Sequence, residues 1–174
     1  MNASTLCYLR RENAYLMLHR IQKAMDVNHG KWIGVGGKVE PGATVEACLQ
    51  REVQEETGLR LTDWRYHGLI RFIYNAAPPE LIYLYSSESF EGSLPAQSEH
   101  GELSAEGLLR WVPLQALHTY TLWPGDRIFL RLMLQTGQRP FELTLVYTDD
   151  ELQKAVLDGV SLDVAAWVEV SPFL

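Results

Sequence analysis

The stretch Gly37–Leu59, GKVEPGATVEACLQREVQEETGL, carries the most regular pattern in this 174-residue chain. Pro41-Gly42 marks a turn. Thr44 follows as an N-cap, and the spacing predicts a helix from Thr44 to Thr57 that Gly58 closes in the left-handed conformation. At helical period Val45, Cys48, Leu49 and Val53 share one side, as an amphipathic element requires. Glu52 and Glu56 project into the middle of that apolar side, and Glu55 lies at its flank. The three carboxylates stand at i, i+3 and i+4, where like charges repel. Half-buried together, they either hold their protons more tightly or gather round a cation. Oxygen-only ligands suit Mg²⁺, Mn²⁺ or Ca²⁺ rather than zinc. The competing reading is a solvated helix end whose acids pair with Arg51 or Arg60.

Immediately upstream, Gly34-Val35-Gly36-Gly37-Lys38 allows backbone to approach an anionic group closely, with one lysine to contact it. The spacing fits neither a P-loop nor a dinucleotide fingerprint, so its meaning lies in its position before the acidic helix. Further out, Thr5–Leu9 and Ala14–His19 read as a hairpin, with a loop from Gln22 to Lys31. Trp64–Tyr74 and Leu81–Tyr85 read as strands, Phe90–Gly107 as loop and Leu108–Val112 as a strand. Asp126–Gln135 reads as a helix opened by Trp123-Pro124-Gly125, and Phe141–Tyr147 as a strand. Asp149 or Asp150 is expected to cap a short helix ending at Gly159. Leu162, Val164, Ala166, Val168 and Val170 alternate as a last strand would. Strands and helices mixed without regular βαβ spacing indicate an α+β fold.

Hydrophobic residues at 47% and charged residues at 21% describe one ordinary globular domain with enough material for a core. A formal net charge of -7 disfavours long DNA or RNA as the primary ligand. A small anion stays compatible when a metal ion supplies positive charge. With no apolar run of roughly 18 to 20 residues and no signal-like start, a cytoplasmic protein without membrane association is expected. Cys7 and Cys48 read as small core residues rather than a disulfide or zinc framework.

Taken as a whole, Gly37–Leu59 resembles the Nudix box, whose pattern is Gly, five residues, Glu, seven residues, Arg-Glu, an aliphatic, any residue, Glu-Glu, any residue, Gly, an aliphatic. Gly37, Arg51, Glu52, Val53, Glu55, Glu56, Gly58 and Leu59 fall in register, and Ala43 stands where the pattern has Glu. The resemblance implies a Nudix αβα sandwich with a mixed β-sheet and a loop-helix-loop box. It implies a hydrolase domain over residues 1–148, with 149–174 as a C-terminal helix/strand extension packed on the same domain. The implied reaction is hydrolysis of a nucleoside diphosphate linked to another moiety, with Mg²⁺, or Mn²⁺ in its place. Glu52 and Glu56 match the main metal-ligating carboxylates, Gly36 adds its carbonyl, and Glu55 matches a further ligand or water-orienting acid. Glu106 resembles the distant glutamate that serves as ligand or base, with Glu99 and Glu102 as rivals. The glutamate replaced by Ala43 braces the loop against the helix in the family, so a looser loop is expected here.

Lys31–Lys38 and Leu122–Asp126 further resemble the branch that removes oxidised purine triphosphates such as 8-oxo-dGTP, releasing a monophosphate and pyrophosphate in nucleotide-pool sanitation. There the tryptophan matching Trp123 stacks on the base and the acid matching Asp126 bonds the purine edge. Phe72 is a candidate wall of the base pocket, and Arg20 and Lys38 are candidate phosphate contacts. Two departures stand out: Gly125 where some members carry a first acid, and Ile33 where some carry Asn. The alternatives are a Nudix hydrolase of ADP-ribose, a dinucleoside polyphosphate or a pyrimidine triphosphate, and a catalytically inert nucleotide sensor. The expected partner is a small-molecule nucleotide, with oligomeric state left open.

Overall fold

A computed structural model describes residues 2–21, 25–94, 107–135 and 139–169. The predicted hairpin is present as β1 (Asn2–Arg11) and β2 (Ala14–His19), which pair Leu9 with Leu16 across a turn where Glu12 takes a φ of 54°. Beside β2 lie β3 (Trp32–Ile33) and β6 (Leu108–Pro113), both antiparallel to it. On the other side, β1 runs parallel to β5 (Glu80–Glu91), β5 antiparallel to β4 (Arg60–Tyr74), and β4 parallel to β7 (Phe141–Thr148). β8 (Glu151–Leu157) and β9 (Val160–Ser161) extend this mixed sheet antiparallel from β7.

The helices α1 (Val45–Thr57), α2 (Asp126–Met133) and α3 (Val164–Val168) accompany the sheet. Strand alternation explains why both faces of the sheet are covered. Cys7 and Leu9 of β1 join Leu16, Leu18, Leu49 and Val53 in the core beneath α1, whereas Tyr8 joins Met17, Ile70, Phe129 and Leu143 in the core beneath α2. Each fully buried leucine, Leu49 among them, contributes about 1.5–3 kcal/mol relative to exposure. The result is the expected α+β sandwich.

The predicted elements hold with longer strands: β4 begins at Arg60 rather than Trp64 and β5 runs to Glu91, with register shifts between Leu61 and Gly68 absorbing the irregularity. α2 stops at Met133, short of Gln135. The C-terminal expectation requires correction, because the order is strand then helix. Asp149 does not cap a helix; it takes a φ of 51° in the tight turn that sets Thr148 opposite Glu151. The free edge of β7 offers a ladder to residues 151–157, and that pairing overrides the local capping signal. Where alternation suggested a last strand, the Asp163 carboxylate accepts the Ala166 N–H at 3.4 Å and opens α3, whose Trp167 packs under Arg131 of α2.

Candidate active site

The glycine-rich segment runs along β1 as an irregular strand. Thr5 N–H donates to Gly37 O at 2.9 Å, and Cys7 N–H to Val35 O at 2.7 Å. Strand alternation therefore directs the Gly36 carbonyl off the β1 ladder. Glycine is required sterically at Gly36, where a Cβ would lie 1.9 Å from Thr5 O; a Cβ on Gly37 would lie 2.4 Å from the Glu52 carboxyl carbon and would push that carboxylate aside. The loop and the acidic helix are thus packed backbone to carboxylate.

α1 forms as predicted. Thr44 Oγ1 accepts the Ala47 N–H at 3.1 Å, and Gly58, at φ 77°, donates its N–H to Gln54 O. The Cys48 thiol points inward at the carbonyls of Lys38 and Gly37. Arg51 is the hinge of the charged face, lying 3.0 Å from Glu52, 3.9 Å from Glu55 and 3.3 Å from Glu40, and donating to Lys38 O at 3.2 Å. These ion pairs offset part of the repulsion among the helix acids. Arg60 takes no part in this face and pairs with Glu91. Glu40, in the turn before α1, pairs with Arg51 and so ties the loop to the helix close to Ala43.

Glu52 is mostly buried, Glu55 is 62% exposed, and Glu56 Oε2 is closed off from solvent. Among the described residues no three His, Cys, Asp or Glu side chains converge as a finished ligand cage. Glu52, Glu55 and Glu56 share one helix, with Glu52 packed against the glycine loop at Gly37, and their oxygens are the donor type a hard divalent cation takes. Glu106 and its rivals Glu99 and Glu102 lie outside the described residues.

A cleft of about 410 Å³ opens beside this unit, bringing together the predicted Arg20, Gly36, Lys38, Phe72, Trp123 and Asp126. At one end Gly36, Gly37 and Lys38 form the wall; at the other, Phe72, Trp123, Asp126, Phe129 and Leu145. Trp123 is buried, edge-on to Phe72, Tyr74 and Tyr147, and its indole N–H donates to Asn28 Oδ1 at 2.7 Å. Asp126 sits in the first turn of α2, only 7% exposed, and among the described residues its carboxyl has no hydrogen-bond partner. Burial holds its pKa well above the usual carboxylate range, with the nearby Lys31 charge pulling the other way. Arg20 lines the cleft with its guanidinium paired to Asp26 at 2.8 Å.

Gly125 is explained here: a Cβ would come within 2.6 Å of Leu145 and of the Tyr147 hydroxyl, which accepts the Gly125 N–H at 2.8 Å. A side chain at this position would have to displace Leu145 and Tyr147. Sequence reading missed Asn28, Lys31 and Tyr147. The turn signal in Asp26-Val27-Asn28-His29-Gly30 marks a loop, but nothing local indicates that it wraps Trp123.

The NUDIX domain model matches residues 2–133. This chain belongs to the Nudix family. The Nudix chain is 33% identical over 107 residues to the oxidized purine nucleoside triphosphate hydrolase of Mus musculus, spanning 61% of this chain and 64% of that one. It is 33% identical over 133 residues to the nucleoside triphosphatase NudI of Enterobacter sp. (strain 638), spanning 71% and 90% respectively. Its fold matches the crystal structure of the MutT protein from Bacillus halodurans with a TM-score of 0.77 at 23% identity, covering 91% of this chain and 98% of that one. The protein is therefore a Nudix hydrolase acting on pyrophosphate bonds, and its family acts on small nucleotide substrates. No helix among the described residues is long and apolar enough to cross a membrane.

Proposed function

We propose that this Nudix hydrolase is a Mg²⁺-dependent nucleoside triphosphate pyrophosphohydrolase acting on oxidised purine nucleotides such as 8-oxo-dGTP, converting triphosphate and water to monophosphate and pyrophosphate. The observation that carries the reading is Asp126, buried, without a hydrogen-bond partner among the described residues, and facing the cleft beside Trp123. Burial favours its protonated form, and in that form it would offer one O–H donor and one carbonyl acceptor side by side. A base edge that answers both is favoured, and one that leaves either unpaired costs binding energy. Trp123 and Phe72 supply aromatic walls, which accept any base face and leave discrimination to the acid.

Glu52, Glu56 and the Gly36 carbonyl would hold Mg²⁺ or Mn²⁺, with Glu55 and the distal Glu106 as further acids. When bound there, such a cation would supply positive charge against the phosphates and make water easier to deprotonate. Lys38 and Arg20 line the cleft and are the candidate phosphate contacts. A helix carboxylate accepts the proton of the attacking water, and positioning by the loop-helix unit carries the rest of the barrier reduction.

The test is product analysis on 8-oxo-dGTP, dGTP, dCTP and ADP-ribose, with Mg²⁺ and with EDTA. Pyrophosphate release that needs the metal and favours 8-oxo-dGTP is the expected result. Preferential cleavage of ADP-ribose, or tight binding without turnover in Mn²⁺, overturns it in favour of another Nudix substrate or an inert sensor.

A further inference from the structure

Lys31 is a lysine buried where the mechanism above gives it no task. Its side chain is 8% exposed, and its ammonium has three neighbours on three separate segments. It lies 3.1 Å from Asp150 Oδ2 in the β7–β8 turn, 3.4 Å from the Val27 carbonyl, and 4.1 Å from the centroid of the Trp123 ring. An ammonium has three N–H donors, so this environment satisfies it: a carboxylate, a carbonyl and an aromatic face. We propose that Lys31, tethered by Asp150, is a positioning residue that sets the base specificity of the cleft by fixing the Trp123 ring and the charge beside Asp126. The proposal rests on the purine reading for its substrate, while its structural half stands apart from it.

The ring is fixed at two points. Asn28 holds the indole N–H at 2.7 Å, and Lys31 covers one face. The same ammonium is the cation acting on Asp126. The other groups facing that acid are the phenols of Tyr8 from β1 and Tyr147 from β7, while Asp150 stands behind Lys31 and the Arg20–Asp26 pair belongs to the adjoining loop. A positive charge favours loss of the Asp126 proton, and Asp150 partly neutralises that charge. Asp150 is 65% exposed, so the tether can be cut without opening a core.

This arrangement makes two substitutions act in opposite directions. Carboxyl ¹³C NMR titration of the free protein should show the Asp126 midpoint rising in Lys31→Met and falling in Asp150→Asn, which leaves Lys31 without its counter-charge. In steady-state assays the 8-oxo-dGTP to dCTP ratio of kcat/KM should fall about fivefold in Lys31→Met, mainly through KM, and return in Lys31→Arg, which keeps charge and ring contact. Thermal melts establish that each variant is folded, and Asp150→Asn carries the titration test should Lys31→Met not fold. An Asp126 midpoint that moves in neither variant, or moves the same way in both, overturns the proposal. Wild-type protein without purine preference would instead sink the substrate reading, and the titration of the free protein would still decide the role of Lys31.

Discussion

The two ends of the cleft are built differently. The proposed metal-binding end comes from one contiguous run, Gly36 to Glu56, whose geometry follows from a helical period and two glycines that admit the Glu52 carboxylate and β1. The base end collects Asn28, Lys31, Phe72, Trp123, Asp126 and Tyr147 from a loop, two strands and a helix start. The first is charged and open to water at Glu55; the second is aromatic and buried. A phosphate-cation site must exchange ions with solvent, whereas a base site discriminates only when its polar groups are dry enough for a missing partner to be costly. Chemistry and selectivity therefore ought to separate under mutation.

The sharpest break comes at the charged end. Glu56→Gln should lower kcat on every accepted nucleotide alike, by roughly a hundredfold or more, as expected for a metal-site carboxylate. Its melting temperature should not drop, since one of three like charges is removed. Full activity in a steady-state assay would remove Glu56 from the metal site.

Asp126→Asn should act on the ratio between substrates instead, reducing preference for oxidised purine over pyrimidine triphosphates by about tenfold. It also carries a pH signature. The folded protein holds the Asp126 proton more tightly than the unfolded chain does, so the stability this group contributes is full below the ordinary carboxylate range and is lost as pH rises toward the raised folded value. Asparagine does not titrate. Urea denaturation at acid and at mildly alkaline pH should show the variant gaining on the native protein as pH increases; parallel curves would contradict the buried acid.

Legibility followed the same division. The α1 cap, the left-handed Gly58 and the acidic face were readable because all lie within a few helical turns. Phe72, Trp123 and Asp126 were reached only through resemblance, and the structure brings them together in one cleft. Asn28, Lys31 and Tyr147 were not readable, since their meaning depends on β7 lying parallel to β4 and on a loop folding over an indole many residues away. The C-terminal order was misread for a related reason: Asp149 is a good helix cap and an equally good turn residue, and only the open edge of β7 decides between them.

The smallest expected effect tests whether the brace at the charged end is as local as it looks. Glu40→Gln should cost about 0.2–1 kcal/mol in urea denaturation, the range of an exposed ion pair, because Arg51 keeps Glu52, Glu55 and the Lys38 carbonyl. A larger loss would mean that the loop depends on Glu40 far more than one ion pair allows.

The parallel pairing of β4 with β7, which sets Gly68 beside Phe141, also orders events in time. The glycine loop and α1 pack chiefly on β1 and β4, close in sequence, whereas the base pocket waits on Leu145, Tyr147 and Asp150 from far along the chain. Contacts between distant segments form slowly because a large loop must close first. On refolding, the base pocket should therefore close after the loop-helix unit has begun to form.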